Sequence, residues 1–246
     1  MPLFTTKSDK SRRAANSSEH CSFQPAGRCI SARHFFSLDI NDNCHSGSAS
    51  KTGAVAILIA GILLLVSSIS VYLWQYIPDI ASENGLLEVS QDIFLSLAFV
   101  TAFLRYWSIR CDQSLNNTVF LALTLCSLAF LLREVDIDKL GSSPLWSVAE
   151  KVLRGIAAVP LLGFIFSVLR KTKLLWRNLA SILTAPVVIL TILGGLLYIS
   201  SWPFDKKMFA MDKGLSQLCE EIIELNACLL FAFAAFSQGV KQEKPL

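Results

Sequence analysis

Charged residues and histidines are scarce in this chain. Lys, Arg, Asp and Glu make up 17% of the 246 residues, whereas soluble domains have about 25%. The histidines (His20, His34 and His45) all lie near the N-terminus. A zinc hydrolase or a carboxylate–histidine di-iron site later in the chain would therefore lack its ligands. The G-x-S-x-G, Walker A and dinucleotide-binding motifs are absent as well, which argues against the enzyme classes that use them.

The small net charge and the cysteines also limit the partners. A net charge of +3 does not indicate nucleic-acid binding, and no Lys/Arg stripe alternates with aromatic residues. Cys126 and Cys228 lie in apolar runs, where a thiol behaves as a small hydrophobic group, so the cysteines do not indicate a disulfide framework. We predict no nucleic-acid partner and no cofactor. A hard cation held by oxygen ligands alone, Mg²⁺ or Ca²⁺, is an open alternative for the metal.

Residues 1–53 differ sharply in composition from the rest of the chain. They are polar and rich in Ser, Arg and Asn, whereas the sequence from Gly53 onward is mostly hydrophobic. The Cys and His residues lack the spacing of about two to four residues that paired zinc ligands have. No apolar stretch of a secretory signal is present before residue 54. We predict a disordered tail over 1–53. Its composition resembles an organelle transit peptide, and a start codon assigned too far upstream is the alternative.

Six stretches after residue 53 are candidates to cross a bilayer as helices. A hydrocarbon core of about 30 Å takes roughly 20 helical residues. The first and fifth stretches reach this length by themselves, and Pro186 is expected to kink the fifth. The second and sixth reach it only with their charged preceding turns, and a re-entrant or interfacial segment is the alternative for both. The predicted spans are 54–74, 93–104, 118–132, 155–169 with an extension back to 148, 179–199 and 222–236.

The basic residues predict the orientation of these spans. Of the 22 Lys and Arg residues, 15 lie in the N-terminal tail, the second-to-third connection, the fourth-to-fifth connection and the C-terminus. These segments alternate across six spans, and such a bias marks the cytoplasmic side. The predicted fold is therefore an all-α bundle of six transmembrane helices over 54–238, with both termini and the short tail 239–246 in the cytoplasm. We expect a bacterial inner membrane, with an organelle membrane as the alternative.

Acidic residues collect on the opposite, outer side. Thirteen of the 19 Asp and Glu residues lie there, although acidic residues contribute little to orientation. Some of them share helix faces, because Glu88 precedes Asp92, and Glu220 precedes Glu224, by four residues. We predict an outward-facing pocket formed by these residues and their basic neighbours. Its members are Glu88, Asp92, Arg133, Glu134, Asp136, Arg154, Glu220, Glu221 and Glu224.

Glu224 is the strongest candidate in this pocket. It is surrounded by Ile222, Ile223 and Leu225 and lies beyond the first turn of its helix. The other acidic residues near helix starts have a simpler explanation, because the helix dipole favours negative charge in a first turn. An ionisable residue at the centre of a membrane helix costs about 2.5–3.5 kcal/mol, so it normally faces the bundle interior and has a partner.

Three classes of function fit an acidic pocket of this kind. The first is a proton- or cation-coupled carrier in which Glu224 is the titrating residue. The second is a membrane-embedded enzyme that acts on a lipid or envelope headgroup with a carboxylate as acid or base. The third is a non-catalytic subunit or scaffold in which the charges hold helices together. The predicted partners are the lipid bilayer and, as substrate, a proton, a small cation or a lipid.

Overall fold

The computed structural model describes residues 48–82, 85–110, 115–134, 144–206 and 208–240. Within these ranges the chain is all-α, with eight α-helices and a 3₁₀ turn at Pro78–Ala81. Asp136, residues 1–47 and residues 241–246 lie outside the described part, so the predictions for them stay predictions. The helices are α1 Ser48–Tyr76, α2 Leu86–Ile109, α3 Leu115–Glu134, α4 Pro144–Arg170, α5 Thr172–Arg177, α6 Leu179–Leu183, α7 Pro186–Asp205 and α8 Lys213–Phe236.

Five of these helices are long and apolar enough to cross a membrane. They include Gly53–Tyr76 of α1, Lys151–Arg170 of α4 and the whole of α2, α3 and α7. The chain is thus a multi-pass membrane protein by helix length and composition. The expected extensions of the second and fourth spans into their charged preceding turns are confirmed, because α2 begins at Leu86 and α4 at Pro144. Which membrane it occupies, and on which side the termini lie, stay predictions.

α8 is the sixth predicted span, and the structure supports it only as a helix. It has 24 residues and includes the charged segment before residue 222, as expected. Three glutamates in its N-terminal half keep it out of the set that is apolar enough to span by composition. Length and composition therefore support five crossings among the described residues, and the sixth crossing stays a prediction.

The fifth predicted span is wrong in its bounds. We expected one helix over 179–199 with a kink at Pro186, but α6 ends at Leu183 and α7 begins at Pro186. Proline has no backbone N–H and disfavours the helical conformation in the residue before it. Ala185 accordingly has an extended backbone, with φ −71° and ψ 130°. The chain breaks at this point, and the spanning helix extends to Asp205 instead of ending at Ile199.

α8 lies at the centre of the helix packing. Twelve of its residues are buried, and it contacts α1, α2, α3 and α7. Its Phe231 side chain packs against Phe130 of α3, whose ring centroid is also 4.1 Å from that of Tyr198 of α7. None of the spanning part of α4 is buried, by contrast. The two most hydrophobic of the candidate spans, α1 and α4, are thus the least buried.

Contacts near the helix ends give the directions of the helices. α2 runs parallel to α8, because Gln91 contacts Glu221 near their starts and Arg105 contacts Phe236 near their ends. α7 runs antiparallel to α8, because the Ser216 hydroxyl donates to the Phe204 carbonyl oxygen at the end of α7 and the start of α8. One end of the bundle therefore holds the starts of α2 and α8 and the ends of α3 and α7; we name it the acidic end.

Gly194 allows α7 to approach α8 closely. A Cβ atom at this position would lie 3.2 Å from the Ala227 carbonyl oxygen and 3.4 Å from the Leu230 Cβ. A Cβ atom at Gly195 would have nothing within 4 Å. Small residues commonly permit such close contacts between membrane helices. Of these two adjacent glycines, only Gly194 therefore makes room for a neighbouring helix.

Candidate functional site

Glu224 is enclosed at the acidic end, where three helices meet. Its side chain, on α8, is 4% exposed. One of its carboxylate oxygens, Oε1, accepts a 2.7 Å hydrogen bond from the Ser201 hydroxyl of α7. The same oxygen accepts a 3.3 Å hydrogen bond from Nη2 of Arg133 in α3. The carboxylate thus joins α3, α7 and α8 within the interior.

Arg133 connects this enclosed carboxylate to the surface. Its side chain is 51% exposed, and its guanidinium carbon lies 4.8 Å from the centre of the Tyr198 ring, in cation–π range. The Nε atom lies 4.0 Å from Oε1 of Glu134. Arg133 thus forms ion pairs with both Glu134 and Glu224, and Glu224 is the nearer partner, at 3.3 Å. One guanidinium serves two carboxylates.

Glu221 is held on the adjoining face of α8 by a glutamine. Gln91 of α2 is fully buried, and its Nε2 donates to Oε2 of Glu221 at 2.7 Å and to the Glu221 carbonyl oxygen at 3.1 Å. A side chain that binds both backbone and side chain of one residue fixes the register between the two helices. Asp92 follows directly in α2 and is half-buried.

Several buried oxygens in the described residues have no hydrogen-bond partner. A buried polar group left unpaired costs about 1–3 kcal/mol, so such groups are few in stable structures, and a catalytic role or a bound water or ion is among their explanations. Ser127 and Asn226 are among them, although the Asn226 amide nitrogen donates to the Ser67 hydroxyl at 2.8 Å. The atoms are Gln91 Oε1, Asp92 Oδ1, Ser127 Oγ, Glu134 Oε1, Tyr198 OH and Asn226 Oδ1. Four of the six are amide or carboxylate oxygens, which accept hydrogen bonds, and the Ser127 and Tyr198 hydroxyls can also donate.

The remaining predicted residues lie around this centre. Glu88 and Glu220 are half-buried on α2 and α8. Arg154 of α4 donates from Nε to the Leu132 carbonyl oxygen at 3.3 Å. Asp136 belongs to a segment that the structure does not describe. The structure thus joins Glu224, Arg133 and Glu134 directly and places Glu221 beside them through Gln91.

Three neutral residues of the site were not predicted from the sequence, because the predicted pocket contained ionisable residues only. They are Gln91, Tyr198 and Ser201. A periodic signal was present for two of them, because Gly194, Tyr198, Ser201 and Asp205 recur at spacings of four, three and four residues, which places them on one helix face. Gln91 carried a weaker signal, three residues after Glu88 in the same turn as Asp92.

The described carboxylates and thiols do not form a metal site. No group of three or more His, Cys, Asp or Glu side chains in the described ranges is arranged to hold a metal ion. No family model, curated protein or solved structure matches the chain. The chemistry of the site is therefore argued from its own residues.

Proposed function

We propose that this membrane protein is a proton- or cation-coupled carrier, and that Glu224 takes up and releases the coupling ion. The observation that carries the proposal is the burial of Glu224 between α3, α7 and α8 with a single guanidinium beside it. Ionisable residues inside membrane helices are expensive, and they commonly mark the paths of protons and ions. The Ser201 hydroxyl could donate equally well to an uncharged acceptor at position 224. Its hydrogen bond therefore does not by itself explain why an ionisable residue lies there.

Arg133 supplies the element that responds to the ion. When Glu224 is ionised, it attracts the guanidinium, which also lies near Glu134. A proton or cation on Glu224 cancels that attraction and leaves Glu134 as the stronger partner of Arg133. The guanidinium then moves away from the interior, and the contact between α3 and α8 loosens. Two arrangements of one arginine thus couple ion binding to helix movement, as a two-state carrier requires.

The proposal also places α8 across the membrane as a sixth span. Its 24 residues give a length of about 36 Å, enough for a core of about 30 Å. It lies beside α2 in the same direction and opposite to α7, as alternating spans would. The glutamates that weaken it as a span lie at the acidic end, within the helix packing. Both termini would then be cytoplasmic and the acidic end would face outward.

Ion jumps on reconstituted protein test the role of Glu224. A jump in pH or cation concentration loads the coupling ion onto a carrier even without its cargo, so a transient current is expected from proteoliposomes on a solid-supported electrode. Glu224→Gln keeps an acceptor for Ser201 but cannot ionise. We expect its transient to fall to the level of protein-free liposomes.

Asp79→Asn is the matched control for this experiment. Asp79 is an exposed carboxylate of the 3₁₀ turn, so its loss should leave the current at the wild-type level. If Glu224→Gln gave a current as large as that of the wild type, the proposed role of Glu224 would be contradicted. A wild-type protein that gives no current with protons, Na⁺ or K⁺ would contradict the carrier proposal itself.

A further inference from the structure

A cleft of about 360 Å³ lies between α3 and α4, beside the acidic end. Four leucines and three alanines line it, and Arg133 and Arg154 are its remaining lining residues. Its volume is within the range of small-molecule sites, about 300–1,000 Å³. Along α3 the lining runs from Leu125 to Arg133, eight residues or about 12 Å. The cleft is therefore an apolar channel about four-fifths as long as the hydrocarbon layer of one leaflet, roughly 15 Å, is deep.

The two arginines lie at the same end of the cleft. Arg133 is the second-last residue of α3, and Arg154 is three residues inside the spanning part of α4. They are adjacent because Arg154 donates to the backbone of Leu132. Both positions are close to an end of a candidate span, and the ends of membrane helices lie near the headgroups. No acidic side chain is among the nine lining residues that belong to the described part of the chain.

We propose that this cleft binds one acyl chain of an anionic phospholipid, with the lipid phosphate between Arg133 and Arg154. The leucines and alanines match the chain, and paired guanidiniums match phosphate oxygens, to which arginine donates two parallel hydrogen bonds. Charge complementarity at the end and apolar lining along the length together select this ligand. A zwitterionic lipid would satisfy the chain but would bring a positive group to the arginines.

The exposed face of α4 supports an occupant from the bilayer. The spanning part of α4 has no buried residue, and short alanine side chains at 129, 157 and 158 leave space beside α3. Small residues usually allow two membrane helices to close together, and α3 and α4 do contact each other, yet a channel remains between them beside these alanines. A lipid chain in that channel would complete the packing of α4 against α3.

Phosphate binding would also act on the carboxylate site. Arg133 lines the cleft and pairs with Glu224, so a phosphate and Glu224 compete for one guanidinium. The lipid proposal does not depend on carrier activity, because it rests on the cleft alone. It predicts that Glu224→Gln keeps lipid binding or strengthens it, whatever the current measurements show.

Native mass spectrometry of the full-length protein measures this binding directly. Dioleoyl phosphatidylglycerol and dioleoyl phosphatidylcholine are titrated separately, and bound copies are counted. We expect one site that prefers phosphatidylglycerol by about tenfold or more, the effect of a charged hydrogen bond. Arg154→Gln should remove most of that preference. Lys151→Gln, one turn earlier on α4 and outside the cleft, is the control that removes the same charge and should keep it.

A second variant tests the chain rather than the phosphate. Ala158→Phe fills the cleft and should abolish the single site for both lipids, whereas Val159→Phe, on the adjacent lipid-facing residue, should retain it. Equal binding of the two lipids by the wild type would overturn the proposal. So would equal losses in Arg154→Gln and Lys151→Gln, or unchanged binding in Ala158→Phe. If Ala158→Phe changed only the signal of a protein dimer and left lipid binding unchanged, the cleft would belong to the contact with a second copy of the chain. The lipid proposal would then be overturned too.

Discussion

Removing Arg133 should destabilise the protein more than removing its partner Glu224. Arg133→Gln leaves a carboxylate that is 4% exposed with only the Ser201 hydroxyl to stabilise it. Loss of one partner from a buried ion pair costs about 3–5 kcal/mol. Glu224→Gln leaves a guanidinium that is 51% exposed and still lies over Tyr198. The Arg133 side chain can turn toward the headgroups. We therefore expect the free energy of unfolding to fall by about 1 kcal/mol or less, as for exposed ion pairs.

The double variant separates this asymmetry from a general packing defect. Arg133→Gln with Glu224→Gln removes both charges and leaves no isolated buried carboxylate. Its stability should therefore lie near that of Glu224→Gln alone and recover about 2–4 kcal/mol relative to Arg133→Gln. If the two substitutions caused independent packing defects, their losses in the free energy of unfolding would add instead.

Reversible unfolding in mixed micelles, followed by tryptophan fluorescence, measures these differences. Arg110→Gln is the control, because its guanidinium lies 3.6 Å from the centre of the Trp107 ring on an exposed surface. We expect that control to change the free energy of unfolding by about 1 kcal/mol or less, because it loses one exposed cation–π contact. If Arg133→Gln is no less stable than Glu224→Gln, or if the two changes add in the double variant, the ion pair does not hold α3 to α8.

Two further predictions concern the packing of α7 and the number of crossings. Gly194→Ala should be about 1–3 kcal/mol less stable than Gly195→Ala in the same unfolding assay, because only the first Cβ would press on Ala227 of α8; equal stabilities would mean that the close approach is unimportant. Protease sites added ahead of Met1 and after Leu246 should be cleaved from the same side of sealed membrane vesicles, as six crossings require. Cleavage from opposite sides would indicate five crossings and place α8 within one leaflet.

Hydrophobicity and charge predicted most of the helices of this protein. Long apolar runs identified α1 and α7, and the charged turns before the second span were correctly included in α2. The break at Pro186 was harder to foresee, because proline inside a membrane helix is often tolerated as a kink. The outcome depended on whether neighbouring groups could satisfy the freed backbone, and Ala185 adopted an extended conformation instead.

The candidate site could be approached only through its charges. An ionisable residue in an apolar run is conspicuous, which is why Glu224 and Arg133 were named, and the structure places them in contact. Gln91 and Ser201 are not conspicuous, since uncharged polar residues are common in membrane helices. The contact of Gln91 with Glu221 joins residues 130 positions apart. Only the register of α2 against α8 decides such a contact, and no local pattern encodes it.

The three glutamates of α8 account for its place at the centre of the bundle. A helix that carries carboxylates is poorly stable against lipid, because its polar groups find no partners there. Surrounded by α1, α2, α3 and α7, the same helix gains Arg133, Ser201 and Gln91 as donors. α4 has no such need, and its spanning part remains fully at the periphery. In this chain, the helix that its glutamates exclude from the candidate spans is therefore the one around which the others assemble, and the chemistry of the protein should be sought along it.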